Sequence, residues 1–380
     1  MRKPLAAWTY AGLFLLLMGW GFWQGLGALR TEDAQRRLGA VLNWPAFVGG
    51  RTTAALNHVM AHDLPADPYF RMAGGALRWA LFGSGGPQVR VGCGDWLFLQ
   101  EELRPWADAA ANQRARLEGI IRVARQLEAE GIAVVLAVTP DKARVEAAQL
   151  CGNAYAAEAL GRHAEAVAAL QGAGLRLVEW LPLLDRARAE GPVYWRTDTH
   201  WNHRGAALAA GALARAAQDV PLRREGGITT EVAATETPLA GDLLRLMGLD
   251  RAPDWMRPAP DRQRARTTRV PEAGGGLLDE APAPEVVLLG SSYALNGNFH
   301  GALQEALGAP VLNFGRAGGG VTGGARDWFA SATARESRPK LVVWEILERG
   351  LPQPITAEER AFLQGRQAAT MAGAVTLQPR

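Results

Sequence analysis

Two short segments carry residue types that could perform nucleophilic chemistry. The first is Leu289-Gly290-Ser291-Ser292-Tyr293, where an apolar run ends in Gly-Ser-Ser. A serine at such a turn stands above its strand, and backbone N–H groups beside it can hold an oxyanion. The second is Arg196-Thr197-Asp198-Thr199-His200-Trp201-Asn202-His203. A serine hydroxyl attacks only when a base takes its proton, and an imidazole base needs a carboxylate to fix its tautomer. Asp-x-His supplies both partners from one loop. Taken alone, each segment has a plainer reading: Gly-Ser is a common turn, and Asn202 suits the N-cap of a following helix. Asp198, His200 and His203 also form a candidate metal loop. A further pair, His58 and His62, has helical i,i+4 spacing but no third ligand of the HExxH kind beside it.

The elements that must position these residues follow from the hydrophobic pattern. Continuous apolar runs fall at Ile132 to Val138, Glu285 to Leu289, Pro310 to Phe314 and Lys340 to Trp344, with shorter ones at Asp95 to Leu99 and Arg176 to Trp180. Helical periodicity occupies Asn112 to Glu130, Ala156 to Leu170 and His203 to Ala217. Continuous runs alternating with helices predict an α/β fold with an open, mostly parallel sheet flanked by helices. Both chemical segments then fall at the carboxyl ends of strands or in loops beside them, where such sheets place their sites. The expected organisation is a spanning helix over 1–29, a stalk or helical cap over 30–90, a catalytic domain over 91–350 and a tail over 351–380. Leu239 to Asp279, rich in Pro, Arg and Gly, reads as an irregular insertion.

The N-terminus narrows the compartment. After Met1-Arg2-Lys3 comes an uncharged stretch from Pro4 to Leu29, with aromatic Trp8, Tyr10, Trp20 and Trp23 near its ends. That length suits one transmembrane helix, and interfacial aromatics suit a signal anchor better than a cleaved signal peptide. The positive residues on the short side place the remainder outside a bacterial inner membrane, in the periplasm. The net charge is +3, but only Lys3, Lys142 and Lys340 are lysines and no Lys/Arg cluster of five or more appears, which argues against nucleic acid as a partner. Cys93 and Cys151 are the two cysteines. Export would oxidise them to a disulfide, whereas two separate buried thiols are the alternative.

Together the landmarks resemble the alginate O-acetyltransferase AlgX/AlgJ family, whose catalytic domain is SGNH-hydrolase-like. The matching pieces are Gly94-Asp95-Trp96-Leu97-Phe98-Leu99, Thr139-Pro140-Asp141-Lys142, Asp198-Thr199-His200-Trp201, Gly241-Asp242-Leu243, Gly290-Ser291-Ser292-Tyr293 and Val343-Trp344-Glu345-Ile346-Leu347-Glu348-Arg349. They run in family order across about 91–350, with Asp-x-His ahead of the serine, the reverse of ordinary SGNH hydrolases. Asn202 and Leu347 depart from the threonine and proline common there. The short tail is nearer the anchored, module-free AlgJ type.

The resemblance implies Ser292 as nucleophile, His200 as base and Asp198 as orienting acid, acting without a cofactor or metal. Asn313, Arg316, Trp201 and Tyr293 are candidate substrate-binding residues, Asn313 as a second oxyanion donor and Trp201 as a sugar subsite. The implied acceptor is an exported polysaccharide, with a membrane-bound O-acyltransferase passing acetyl groups across the inner membrane. A polysaccharide esterase and a non-catalytic polysaccharide-binding subunit of an export complex are the rival readings.

Overall fold

Among the described residues nine strands form: β1 (Val89–Val91), β2 (Leu97–Leu99), β3 (Ala133–Thr139), β4 (Leu177–Val178), β5 (Thr229–Leu239), β6 (Asp261–Arg269), β7 (Val286–Gly290), β8 (Val311–Gly315) and β9 (Leu341–Leu347). The computed structural model describes residues 3–271 and 284–365. Five strands make the central sheet in the order β4-β3-β9-β7-β8, all pairs parallel. β9 lies at its centre and is buried at every residue. Its Val, Leu, Ile and Trp side chains pack on both faces, which is why the sequence runs apolar without alternation.

One face carries a core that includes Val135, Trp180, Trp201, Leu288, Phe299 and Val343. The other includes Ile120, Leu136, Leu289, Trp328, Trp344 and Phe362. Burying each large apolar side chain contributes about 1.5–3 kcal/mol, so a charge at Val343 or Trp344 would remove the sheet's support. The helix Ala109–Ala129 covers the second face together with the helix Ala357–Leu363. Between these helices Arg116 reaches both carboxylate oxygens of Glu359, at 2.8 Å each.

Local differences from the sequence reading have physical causes. The expected helix Ala156 to Leu170 breaks at Gly161 into Ala157–Leu160 and Arg162–Gly172. The strand expected through Trp180 stops at Val178, because Trp180 opens a helix and buries its indole, with Nε1 donating to Ala209 O at 3.1 Å. The stretch read as irregular instead contains β6, paired antiparallel with β5. Both strands are exposed and rich in Thr, Glu and Arg, so they show no apolar alternation. Cross-strand ion pairs such as Arg269–Glu231 at 3.0 Å hold them instead. Cys93 and Cys151 are joined as a disulfide, with Cα atoms 5.3 Å apart.

The chain divides into two units, Met1–Phe82 with Met247–Met256, and Gly83–Leu246 with Arg257–Arg380. The first contains α1 (Lys3–Leu29), α2 (Glu32–Gly39), α3 (Trp44–Val48), α4 (Arg51–His62) and α5 (Asp67–Phe82). Within α1, Ala7–Leu29 is long and apolar enough to cross a membrane. Its 23 residues rise about 34 Å, against a hydrocarbon thickness of about 30 Å. His58 and His62 stack on α4 with ring centroids 4.6 Å apart. Arg2, part of the expected positive flank, and 366–380 of the expected tail lie outside the described residues.

Candidate active site

β7 delivers the serine. It ends at Gly290, where a Cβ would come within 2.8 Å of Ala294 Cβ and 3.1 Å of Glu345 Oε2, so only glycine lets the chain turn tightly there. Ser291 caps the following turn, its Oγ accepting from Tyr293 N at 3.2 Å. Beneath the turn the buried Glu345 of β9 accepts Ser291 N–H at 2.6 Å and the Thr139 hydroxyl at 2.5 Å. Ser292 thus stands on a turn bolted to β9 and, through Glu345, to β3. Among the described residues its own N–H has no acceptor, which leaves it available to a developing oxyanion.

The loop Thr197–Asn202 brings the base. His200 Nε2 lies 2.8 Å from Ser292 Oγ, and His200 Nδ1 lies 2.6 Å from Asp198 Oδ1. The same oxygen accepts His200 N–H at 2.9 Å, while Asp198 Oδ2 accepts Asp242 N–H at 2.8 Å. Burial pushes the Asp198 carboxyl up. The hydrogen bond and charge of His200, with the N–H groups of Asp242 and His200, outweigh that and hold it below the usual carboxylate range. An ionised Asp198 fixes the proton on His200 Nδ1 and leaves Nε2 free to accept from serine.

Three residues given no role in the sequence reading hold this loop. Asp242 accepts Thr199 N–H at 2.7 Å and the Thr199 hydroxyl. Its neighbour Gly241 must be glycine, because a Cβ there would lie 2.1 Å from Thr197 O. Asp261 accepts the Thr197 N–H and hydroxyl, both at 2.7 Å. Lys142, fully buried, donates to Leu97 O at 2.6 Å and to Arg196 O and Asp198 O at 2.9 Å each. Burial pushes its ammonium down to about 8, against the opposing pull of Glu102, Asp198, Asp261 and Asp242. Lys142 and Asp242 sit in landmark segments where a sequence signal existed. Asp261 sits in the stretch read as irregular and gave none.

Of the other expected site residues, Trp201 and Tyr293 need correction. Trp201, expected as a sugar subsite, is 0% exposed. It packs edge-on against Trp180 and beside Phe299, so neither ring face is open to stack on a sugar. Tyr293 is likewise 0% exposed and donates to Thr199 O at 2.8 Å, tying the serine turn to the histidine loop instead of touching substrate. Asn313, expected as a second oxyanion donor, spends Nδ2 on Ala294 O at 3.0 Å, while its Oδ1 accepts Gly315 N–H at 2.7 Å. Arg316 remains on the surface. Its N–H donates to Gly290 O at 3.1 Å, and its guanidinium meets Asp327 at 2.8 Å.

Asp198, His200 and Asp242 are also close enough to share a metal ion. Each of their four carboxylate oxygens already accepts a hydrogen bond from within the site. His203 of the expected metal loop turns away, its Nε2 3.2 Å from Gln263 Oε1.

Comparison with known proteins agrees with this architecture. Residues 89–348 match the family described as SGNH hydrolase-like domain, acetyltransferase AlgX. A "Probable alginate O-acetylase AlgJ" from Azotobacter vinelandii is 32% identical over 365 residues, covering 93% of this chain and 90% of its own. The protein of that name from Pseudomonas putida is 34% identical, covering 90% of this chain and 89% of its own. The solved "O-Acetyltransferase Domain of Pseudomonas putida AlgJ" superposes with a TM-score of 0.65 at 32% identity, over 74% of this chain and 99% of that domain. Fold, landmark order and relatives agree, and the chain belongs to the SGNH hydrolase-like acetyltransferase family of AlgX and AlgJ.

Proposed function

We propose that this protein transfers acetyl groups to hydroxyls of an exported polysaccharide of the alginate kind, through an acetyl-serine intermediate. The observation that carries the reading is the hydrogen-bonded line from Ser292 Oγ through His200 to Asp198, at 2.8 and 2.6 Å. In the first step His200 Nε2 takes the Ser292 proton as Oγ attacks the acetyl carbonyl. The oxyanion is held by the Ser292 N–H, and the carbonyl re-forms as the donor's leaving oxygen departs with the proton from His200. In the second step a sugar hydroxyl attacks the acetyl-serine and gives its proton to His200. Collapse returns that proton to Ser292 Oγ and releases the sugar acetate. Arg316, exposed beside the serine turn, suits a negatively charged polymer.

The proposed setting follows from Ala7–Leu29 as a membrane anchor, with 30–90 as a stalk or helical cap and 91–350 as the periplasmic catalytic domain. No acetyl-CoA is available on that side, so the donor would be a membrane-bound O-acyltransferase that carries acetyl across.

The test is acetyl trapping. Full-length protein given an activated acetyl ester should gain one acetyl group at Ser292 by peptide mass spectrometry. Ser292→Ala should gain none and should lose acetylation by roughly 10⁴-fold or more. Ser291→Ala removes only a turn cap and should stay active, at a stability cost of about 1 kcal/mol. An active Ser292→Ala protein would refute the mechanism.

A further inference from the structure

The first unit leaves an apolar stripe uncovered. On α5, Phe70, Leu77 and Leu81 are 61%, 61% and 64% exposed. At helical spacing they fall within an arc of about 40°. The adjoining face of α5 is occupied. Gly75 lies against Met247 O, where a Cβ would come within 2.3 Å, and Arg78 donates to Met247 O at 3.2 Å. The stripe is therefore the free side of an otherwise docked helix.

Its relation to α1 says what covers it. The Leu64–Ala66 turn that starts α5 is held at the outer end of α1. Gln24 Oε1 accepts Ala66 N–H at 3.0 Å, and Pro65 sits over Gly27, where a Cβ would lie 2.8 Å from its ring. From that level Phe70 reaches back along α1 to Trp20, edge-on, with ring centroids 5.7 Å apart. Trp20 lies four to seven residues before Gln24–Gly27, so Phe70 drops about 6–10 Å toward the spanning segment. An amphipathic helix resting in a bilayer interface buries its apolar face to about that depth. Arg71, half-exposed and paired with Asp67 at 2.5 Å, flanks the stripe as headgroup-level cations do.

We infer that α5 is a second membrane contact, an interfacial helix lying on the outer leaflet with Phe70, Leu77 and Leu81 among the acyl chains. The inference rests on reading α1 as membrane-spanning. It gives the N-terminal unit a second hold on the bilayer beside α1. The ligand is phospholipid, and the surface is continuous with the anchor through the Trp20–Phe70 contact.

The test uses the full chain in phosphatidylethanolamine–phosphatidylglycerol vesicles. Cys93 and Cys151 are bridged, so an added cysteine can be labelled alone with an environment-sensitive fluorophore. Leu77→Cys and Leu81→Cys probes should lose roughly half or more of their emission to lipids spin-labelled near the headgroup and resist aqueous iodide. A Leu13→Cys probe, in α1, should be quenched by lipids labelled near the bilayer centre. If Leu13→Cys responds and the α5 probes answer only to iodide, the inference falls and the anchor stands. If Leu13→Cys does not respond, both fall. Oxidative cross-linking of Leu77→Cys between copies would assign the stripe to a second chain and overturn the lipid reading.

Discussion

Lys142 holds three backbone carbonyls with one ammonium group, and that count gives the site a limit on the alkaline side. Its pKa falls from 10.5 to about 8 through burial. Above about pH 8 the neutral amine keeps two N–H donors for Leu97 O, Arg196 O and Asp198 O. One carbonyl then loses its donor, and the Asp198–His200 loop loses a restraint. Activity should therefore decline through about pH 8. The linkage sign for stability is opposite: between about 8 and 10.5 the unfolded chain binds more protons at this group, so stability from Lys142 rises with pH. The expected signature is a falling rate with a rising melting temperature over the same range. A flat rate profile through about pH 8 would remove Lys142 from the loop's control. The neighbouring carboxylates give a second expectation. Because the oxygens of Asp198 and Asp242 are satisfied by hydrogen bonds, exhaustive EDTA dialysis should leave acetylation unchanged. Loss restored by zinc would reassign the cluster to a metal.

At the scale of elements, β9 links the serine turn to β3, the strand whose end leads into Lys142. Glu345 lies on it between Ser291 N–H and the Thr139 hydroxyl, 2.6 and 2.5 Å away. Glu345→Gln can keep both contacts if its carbonyl oxygen faces Ser291 and its amide donates to the Thr139 oxygen. Glu345→Ala leaves a buried N–H unpaired, at about 1–3 kcal/mol. We expect the glutamine variant to retain most activity, and the alanine variant to lose stability and activity together as the turn loosens. Thermal melts and acetylation rates of the two separate this from a role that needs the carboxylate's charge, which would silence both. Much of this level was legible in the sequence. Long apolar runs marked β3, β7 and β9, since strands buried on both faces have no polar alternation to hide them, and the half-buried edge strand β8 showed a shorter run of the same kind. The β5–β6 hairpin was not legible, because exposed strands stabilised by Thr and ion pairs resemble loops. Within the site, Asp-x-His and Gly-Ser-Ser could be read from residue type alone. Asp261 could not, and Glu345 and Lys142 stood in landmark segments without a role, because their work is to bind groups distant in sequence. Trp201 and Tyr293 misled for a related reason: adjacency to the site in sequence does not reveal which face of the loop points inward.

For the whole molecule, the Cys93–Cys151 bridge ties the turn between β1 and β2 to the segment that follows Gln149. Gly92 lies against Gln149, where a Cβ would be 2.0 Å from Gln149 O, and Asn153 Nδ2 donates to Val91 O at 2.8 Å. The bridge therefore closes a junction that packing already specifies, across a sequence separation of 58. Constraining a loop of that length in the unfolded chain stabilises by about 4 kcal/mol on the chain-entropy account. The junction also bears on the site, since β2 supplies Leu97 O to Lys142 and Leu97 N–H to Arg196 O at 3.0 Å. Replacing both cysteines with alanine should lower unfolding free energy by up to about 4 kcal/mol. Acetylation well below the melting temperature should be nearly unchanged, because Gly92–Gln149 packing still seats β2. Reductant should destabilise the wild type by a similar amount and leave the double variant unaffected. Equal stability of the two proteins under oxidising conditions would mean that the bridge contributes nothing. An inactive but stably folded double variant would show that β2 depends on the covalent link for its register against Lys142.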